Sequence, residues 1–159
     1  MIWVCRAGKS AQYFDEYIEN TIISLPWDGF ENDLSNFHSL SDFKDLVKAE
    51  KGDAHRTSIS NWATQIHAFC VEMKIGDYVL IPTYKSQKYA LATITGDYKY
   101  SENIRGLRHL REIEIIKKDI PRDVFSQSIQ YSLGAFRTIF KPKGEEEILN
   151  SIKRYNSGV

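Results

Sequence analysis

The sequence has no net charge, only two cysteines and no long apolar run, and each of these absences excludes or disfavours a class of protein. Its 159 residues carry 21 Lys and Arg against 21 Asp and Glu, so the whole molecule has no charge surplus that would attract a polyanion. The two cysteines, Cys5 and Cys70, lie in apolar surroundings, which predicts free buried thiols in a reducing cytosol and argues against a disulfide. No apolar run could cross a membrane, and Arg6 and Lys9 interrupt the short apolar start, so a signal peptide is disfavoured. We therefore expect a cytoplasmic protein with no membrane partner.

The sequence also lacks the short motifs of common enzymes. No GxSxG, Walker or GxGxxG pattern is present, and no Ser-His-Asp arrangement is legible. Glu72 and Lys74 resemble the E-x-K end of a nuclease site, but they fall at the end of a predicted helix and lack the second carboxylate that a metal requires. His67 and Cys70 are three residues apart, and no second pair is spaced to complete a zinc site with them. We therefore expect a non-catalytic protein with no metal and no cofactor.

The charge is unevenly distributed along the chain. Residues 1–60 hold six Lys and Arg against ten Asp and Glu, whereas residues 99–143 hold ten against five. This asymmetry is compatible with a basic face on a balanced protein, or with a chance cluster on solvated loops.

The order of apolar patterns predicts one mixed α+β domain, with a curved mixed sheet or small β-barrel flanked by helices. Strands dominate the second half and no regular βαβ alternation is present, so a Rossmann-type sheet is disfavoured. Ser39 is expected to cap a helix. Strands are predicted at residues 2–6, 21–25, 78–81, 88–95, 109–116 and 134–140, and helices at 13–18, 40–47, 58–73 and 145–155.

Several aromatic residues are candidates for a binding pocket. Trp27 sits in a Pro-Trp-Asp-Gly turn, away from any helical apolar stripe. Tyr98 and Tyr100 lie where a strand runs out into a basic loop. Trp62 begins the apolar face of the longest predicted helix, which leaves both a core and a pocket position open, while Trp3 is expected in the core. Rings at strand ends can wall a pocket, and each base stacked on a ring contributes about 1–3 kcal/mol.

Six segments match, in order, the sequence features of a known group of domains. They are residues 2–8 (IWVCRAG), 73–80 (MKIGDYVL), 89–96 (YALATITG), 108–113 (RHLREI), 118–121 (KDIP) and 132–135 (SLGA).

With these segments the chain resembles EVE and YTH domains of the PUA-like superfamily, and is similar to the N-terminal reader domains of modification-dependent restriction proteins. The resemblance covers most of residues 1–143 and implies a PUA-like domain there. Residues 144–159 would then form a C-terminal helix packed on it, or a linker to a missing domain. Two positions depart from the pattern: Ser60 replaces an EVE arginine, and residues 113–115 (IEI) lack the tryptophan of the YTH strand.

The resemblance implies an aromatic cage that accepts a modified base, such as a methylated adenine or cytosine. By position, Trp27 matches the YTH cage tryptophan, and Asn61 and Trp62 match the polar and aromatic pair of EVE domains. The predicted pocket residues are Ala7, Gly8, Trp27, Asp28, Asn61, Trp62, Tyr98 and Tyr100, and the predicted phosphate contacts are Lys99, Arg105, Arg108 and Arg111.

The function expected from the sequence is a reader that binds a modified base in prokaryotic defence or restriction. Modified DNA is favoured over RNA as the partner, with a nuclease or motor subunit as a further partner. Two alternatives remain: a protein-interaction module of a defence complex, which would show an exposed apolar patch, and a metal-dependent nuclease that uses Glu72 and Lys74. The sequence leaves open whether the chain acts alone or as part of a longer protein.

Overall fold

A computed structural model describes residues 1–52 and 55–156 and shows a mixed α+β architecture. The strands are β1 (Ile2–Cys5), β2 (Ile22–Ser24), β3 (Tyr78–Pro82), β4 (Lys88–Ile94), β5 (Lys99–Ile104), β6 (Leu107–Pro121) and β7 (Ile139–Phe140). The helices are α1 (Phe14–Asn20), α2 (Leu40–Lys51), α3 (Arg56–His67), α4 (Gln127–Leu133) and α5 (Glu145–Asn156), and a π-helical turn (Ala68–Glu72) continues α3.

The strands form one curled sheet in the order β2-β6-β4-β3-β1-β7, and β5 pairs with β6 beside this path. Strands β1 and β3 are parallel, and every other pair in the described chain is antiparallel. The predicted class, a curved mixed sheet flanked by helices, is confirmed.

The long strand β6 produces the curl. Its second half pairs with β4, while its first half pairs with β2 on one side and with β5 on the other. Leu110 is the clearest example, because it is opposite Ser24 of β2 and also opposite Lys99 of β5. Register shifts in the β4–β6 and β5–β6 ladders mark bulges, which bend and twist strands.

The sheet is buried on both faces, which explains the continuous apolar runs in its central strands. In β1, Trp3 and Cys5 belong to one core cluster while Ile2 and Val4 belong to the other. The first cluster also takes residues from α2 and α3, such as Phe43 and Ile66. The second lies under α4 and α5 and includes Ile129, Leu133, Ile148 and Ile152.

Helix α2 begins where its sequence predicts. The Ser39 hydroxyl accepts a hydrogen bond from the Asp42 backbone N–H at 3.1 Å, and the Asp42 carboxylate accepts one from the Ser39 N–H at 3.3 Å. This reciprocal pair is a capping box, so the prediction of Ser39 as N-cap is confirmed.

Three elements differ from their predictions. Residues 99–104 were expected to be a basic loop, but they form strand β5, whose side chains are mostly polar because they face solvent. The sequence did not locate helix α4, since Ile129 and Leu133 are its only buried residues and its periodicity is weak. The strand predicted at 134–140 is reduced to β7, and residues 134–138 form a loop instead. Among the described helices, none is long and apolar enough to cross a membrane.

Candidate functional site

A cleft of about 780 Å³ opens where several loops meet beside the middle of α3. Its walls come from the turn after β1, the loop after β2, the turn before β4 and the loop between α4 and β7. Five of the eight residues predicted for a base pocket line this cleft: Gly8, Trp27, Asp28, Asn61 and Trp62.

The two tryptophans supply the aromatic surface of the cleft. Trp27 and Trp62 are each half-buried, because they pack against the first core cluster on one side and line the cleft on the other. The Lys51 ammonium lies 4.8 Å from the centre of the Trp62 ring, close enough for a cation–π contact. Both rings are thus supported by the core on one side, and Trp62 also by Lys51.

Two polar side chains at the cleft are uncommitted. Within the described chain, neither the Asp28 carboxylate nor the Asn61 carboxamide has a hydrogen-bond or ion-pair partner. Asp28 is exposed and Asn61 is half-buried, so both are free to bond a ligand. An ionised carboxylate accepts hydrogen bonds, whereas a carboxamide both donates and accepts them.

Positive charge predominates around the cleft. Five lining residues carry a positive charge, whereas Asp28 is the single acidic residue among those that line it in the described chain. Four of the five are exposed, and the fifth, Arg6, is half-buried. Low-dielectric walls focus the field of such a cluster, so the cleft favours an anionic ligand. The basic residues are Arg6, Lys9, Lys85, Arg122 and Arg137.

Arg6 organises the loop that forms one wall. Its guanidinium donates hydrogen bonds to the carbonyls of Leu133 at 3.0 Å, Ala135 at 3.1 Å and Arg137 at 3.0 Å. It also donates to the Ser86 hydroxyl at 3.2 Å, and burial lowers its pKa from the usual arginine value. This role of Arg6 could not be predicted from the sequence, because the bonded carbonyls belong to residues far along the chain.

Gln65 holds the end of the same loop. Its side chain is buried, and its Oε1 accepts hydrogen bonds from the backbone N–H groups of Thr138 and Ile139, each at 2.9 Å. Gln65 lies four residues after Asn61 on α3, and this spacing puts both on one face of the helix. That spacing is the only sequence signal that could have linked Gln65 to the cleft.

Gly8 lines the cleft, but Ala7 does not reach it. Gly8 has a φ of 82°, and a Cβ there would meet the side chains of Gln12 and Tyr13 at 3.0–3.2 Å, so only glycine fits without strain. Ala7 is completely buried, and its carbonyl accepts a hydrogen bond from the Tyr13 N–H at 2.8 Å. The predicted contribution of Ala7 to base binding is therefore replaced by a structural role.

Tyr98 and Tyr100 lie away from the cleft. The Tyr98 hydroxyl contacts His109 Nδ1 at 2.7 Å and accepts a hydrogen bond from the Leu34 N–H at 3.0 Å. Burial raises the pKa of Tyr98, so the phenol stays protonated. The Tyr100 hydroxyl donates to the carbonyl of Glu31 at 2.6 Å. Both rings fasten the loop after β2 to the sheet, which corrects their predicted position in the pocket wall.

The predicted phosphate contacts lie on β5, on β6 and at the turn between them, outside the cleft. Arg111 is only 2% exposed, and its guanidinium donates to the carbonyls of Gly96, Phe69 and Met73, so it is a buried structural residue and not a phosphate contact. The remaining three are surface residues: Lys99 pairs with Glu112, Arg108 lies 3.7 Å from Glu102, and Arg105 is exposed at the β5–β6 turn.

The residues considered for metal chemistry form a pair and not a cluster. Glu72 is the last residue of the π-helical turn, and its Oε1 lies 3.0 Å from Nδ1 of His67, which is therefore its side-chain partner. Within residues 1–52 and 55–156, no group of three or more His, Cys, Asp or Glu side chains could hold a metal ion. Cys5 and Cys70 are free thiols, and burial raises the pKa of Cys70 to about 12.

Comparison with known proteins gives few relatives. No curated protein matches the chain. Among solved structures, the chain has a weak similarity to the crystal structure of protein Atu2648 from Agrobacterium tumefaciens, with a TM-score of 0.41 and 14% sequence identity over 96% of this chain and 91% of that one. Residues 3–141 match the family described as "Domain of unknown function (DUF8426)", and the chain therefore belongs to that family.

Proposed function

We propose that the protein binds nucleic acid as a non-catalytic reader and takes one unstacked base into the cleft. The observation that carries this proposal is the meeting of two tryptophans, two uncommitted polar side chains and five cations in one cavity. These are the three kinds of group that a nucleotide needs: a surface for its base, hydrogen bonds for its edge and positive charge for its phosphates.

The tryptophans supply enough energy to compete with base stacking in the ligand. Unstacking and unpairing a base costs a few kcal/mol, and a single aromatic contact of about 1–3 kcal/mol barely offsets this. Trp27 and Trp62 together offer two contacts, and the cleft volume of about 780 Å³ is typical of small-molecule sites. The cleft is thus large enough for a nucleotide, with room for a methyl group on the base.

The polar side chains suit a base with an exocyclic amine. The Asp28 carboxylate can accept a hydrogen bond from N4 of cytosine or N6 of adenine, while Asn61 can both donate to and accept from a base edge. These two bases are also the ones whose methylated forms the family resemblance implies.

The biological setting follows from the resemblance to EVE and YTH readers of the PUA-like superfamily. On this view the ligand is modified DNA in preference to RNA, the context is restriction or defence, and a nuclease or motor subunit acts on the bound DNA. Free cysteine thiols are typical of a reducing compartment, so we place the protein in the cytoplasm.

The second function, a protein-interaction module, has one observation in its favour. Phe136 and Tyr131 are large exposed side chains that both line a groove next to the cleft. Such a module would bind its partner without using Trp27, and it would have no affinity for oligonucleotides.

The test is titration of fluorescent oligonucleotides, with and without methylated cytosine or adenine, at about 50 and 200 mM salt. We expect binding that weakens with salt, and a loss of about tenfold or more in affinity for Trp27→Ala. Tyr155→Ala on α5 is the matched aromatic control and should bind as the wild type does. If no oligonucleotide binds, or if Trp27→Ala binds like the wild type, the proposal is wrong.

A further inference from the structure

The loop at residues 134–138 carries a phenylalanine that is fully exposed in the described part of the chain. The relative exposure of Phe136 is 105%, as high as in an extended chain, whereas burying such a side chain is one of the main gains of folding. A single exposed apolar side chain is common on protein surfaces. What points to a contact is the position of Phe136, because it lines both the cleft and the groove next to it.

The loop that presents Phe136 is firmly held. The Arg6 guanidinium donates hydrogen bonds to the carbonyls of Ala135 and Arg137, the two neighbours of Phe136. The Arg6 backbone N–H donates to the carbonyl of Thr138 at 2.8 Å. Gln65 bonds the last turn of the loop to α3. The loop therefore holds the ring of Phe136 outward at a defined place, so ligand binding costs little conformational entropy in the loop.

Phe136 stands on a ridge between two cavities. On one side lies the cleft with Trp27 and Trp62, and on the other lies a groove of about 920 Å³ beneath α4. The loop residues 134–137 line both cavities. The groove adds Lys141 and Lys143 to the basic residues of the ridge, and Glu72 and Glu147 also line it, so cations outnumber carboxylates there.

We propose that Phe136 is a wedge that enters the base stack of a double-stranded nucleic acid. This inference rests on the proposed function and adds that the ligand is a duplex. When one base moves into the cleft, the ring of Phe136 fills the gap that it leaves and contacts the neighbouring bases. The groove on the far side of the ridge then takes the continuing backbone, where Arg137, Lys141 and Lys143 neutralise its phosphates.

The physical reason is that a wedge lowers the cost of extruding a base. An empty gap in a duplex loses stacking on both sides, and an inserted apolar side chain restores part of it while it kinks the duplex. A single strand has no such gap to fill, because its bases are already free to turn outward. Phe136 should therefore matter for duplex binding and very little for single strands.

The experiment compares Phe136→Ala with the wild type on one methylated sequence, as a duplex and as a single strand. The duplex carries 2-aminopurine next to the methylated base, since its fluorescence rises when it is unstacked. Ile116→Ala removes an exposed apolar side chain of β6 and is the matched control. Because Phe136 is fully exposed, its variant should keep the wild-type melting temperature.

For Phe136→Ala we expect duplex affinity to fall about tenfold or more and the fluorescence rise to disappear, while single-strand affinity changes by no more than about twofold. Phe136→Trp should retain both duplex affinity and the fluorescence rise. Equal losses on duplex and single strand, or no loss on either, overturn the wedge while Trp27→Ala still reports on the cleft. If the wild type binds neither form, the proposed function fails and the wedge with it.

Discussion

The Tyr98 hydroxyl lies 2.7 Å from Nδ1 of His109, and the other ring nitrogen of His109 meets the carbonyl of Phe30. A ring nitrogen must carry a proton to bond a carbonyl, so Nε2 of the neutral imidazole donates to Phe30 and Nδ1 accepts from Tyr98. The same hydroxyl accepts from the Leu34 N–H. This chain of bonds fastens the loop after β2 to the strand that bends the sheet, and the loop in turn carries Trp27.

The first prediction is that Tyr98→Phe lowers stability without affecting the cleft. The change leaves His109 Nδ1 without its donor and the Leu34 N–H without its acceptor, which should reduce the free energy of unfolding by about 1–3 kcal/mol in urea denaturation. Oligonucleotide affinity should stay within about twofold of the wild type, as for a substitution outside a binding site. Tyr131→Phe removes an exposed hydroxyl and is the control for stability. If Tyr98→Phe loses base binding while its stability is unchanged, the prediction is wrong and Tyr98 contacts the base.

The second prediction concerns pH. Burial lowers the pKa of His109 below its ordinary value, although the bond to the Phe30 carbonyl opposes this. The unfolded chain, with a histidine pKa of about 6.5, then binds more protons than the folded one on the acid side, so the contribution of His109 is complete above about pH 6.5 and is lost as pH falls below it. In NMR titration the His109 ring should titrate below about 6.5.

The stability measurement for this prediction is urea denaturation at about pH 7.5 and 5.5, with His109→Gln as the comparison. The wild type should lose more stability on acidification than the variant does. An equal loss in both proteins, or a His109 ring that titrates above its ordinary value, would contradict the assignment.

The third prediction separates the cleft cations from the arginines of the β5–β6 hairpin. If Arg137 and Lys85 contact phosphates, Arg137→Gln and Lys85→Gln should each reduce the slope of log affinity against log salt by about one unit. Arg105→Gln is the matched control, because Arg105 is an exposed cation at the turn of the hairpin, away from the cleft. A reduced slope for Arg105→Gln alone would place the phosphates on the hairpin, as the sequence first indicated.

The sequence predicted the central strands and the longer helices because their patterns are set by burial. Strands β1 and β3 are buried on both faces and read as continuous apolar runs, while Ser39 and Asp42 mark the start of α2 through local hydrogen bonds. Strand β5 could not be predicted, because its polar residues face solvent and show no apolar pattern. It forms by pairing with β6, and its own sequence does not indicate that pairing.

The candidate site could be predicted only in part. The family resemblance groups Trp27, Asn61 and Trp62, and Asp28 was predicted beside them as a partner for the base edge; all four line one cleft. Arg6 and Gln65 could not be found, because each acts by bonding backbone groups that are more than 70 residues away in sequence. Phe136 was hidden for a different reason: an isolated phenylalanine in a sequence predicts burial, and only the structure shows it exposed.

The most direct test of a base in the cleft is NMR observation of the three indole N–H signals during titration with a methylated oligonucleotide. Trp27 and Trp62 line the cleft, whereas Trp3 is buried and its indole N–H donates to Asp77 at 3.0 Å. The oligonucleotide is a single strand, because Trp3 also lines the groove proposed for the duplex backbone, and with a single strand its signal provides an internal reference. We predict that the Trp27 and Trp62 signals shift together at the concentration where binding saturates, while Trp3 moves much less. Binding that leaves Trp27 and Trp62 unshifted would contradict a base in the cleft.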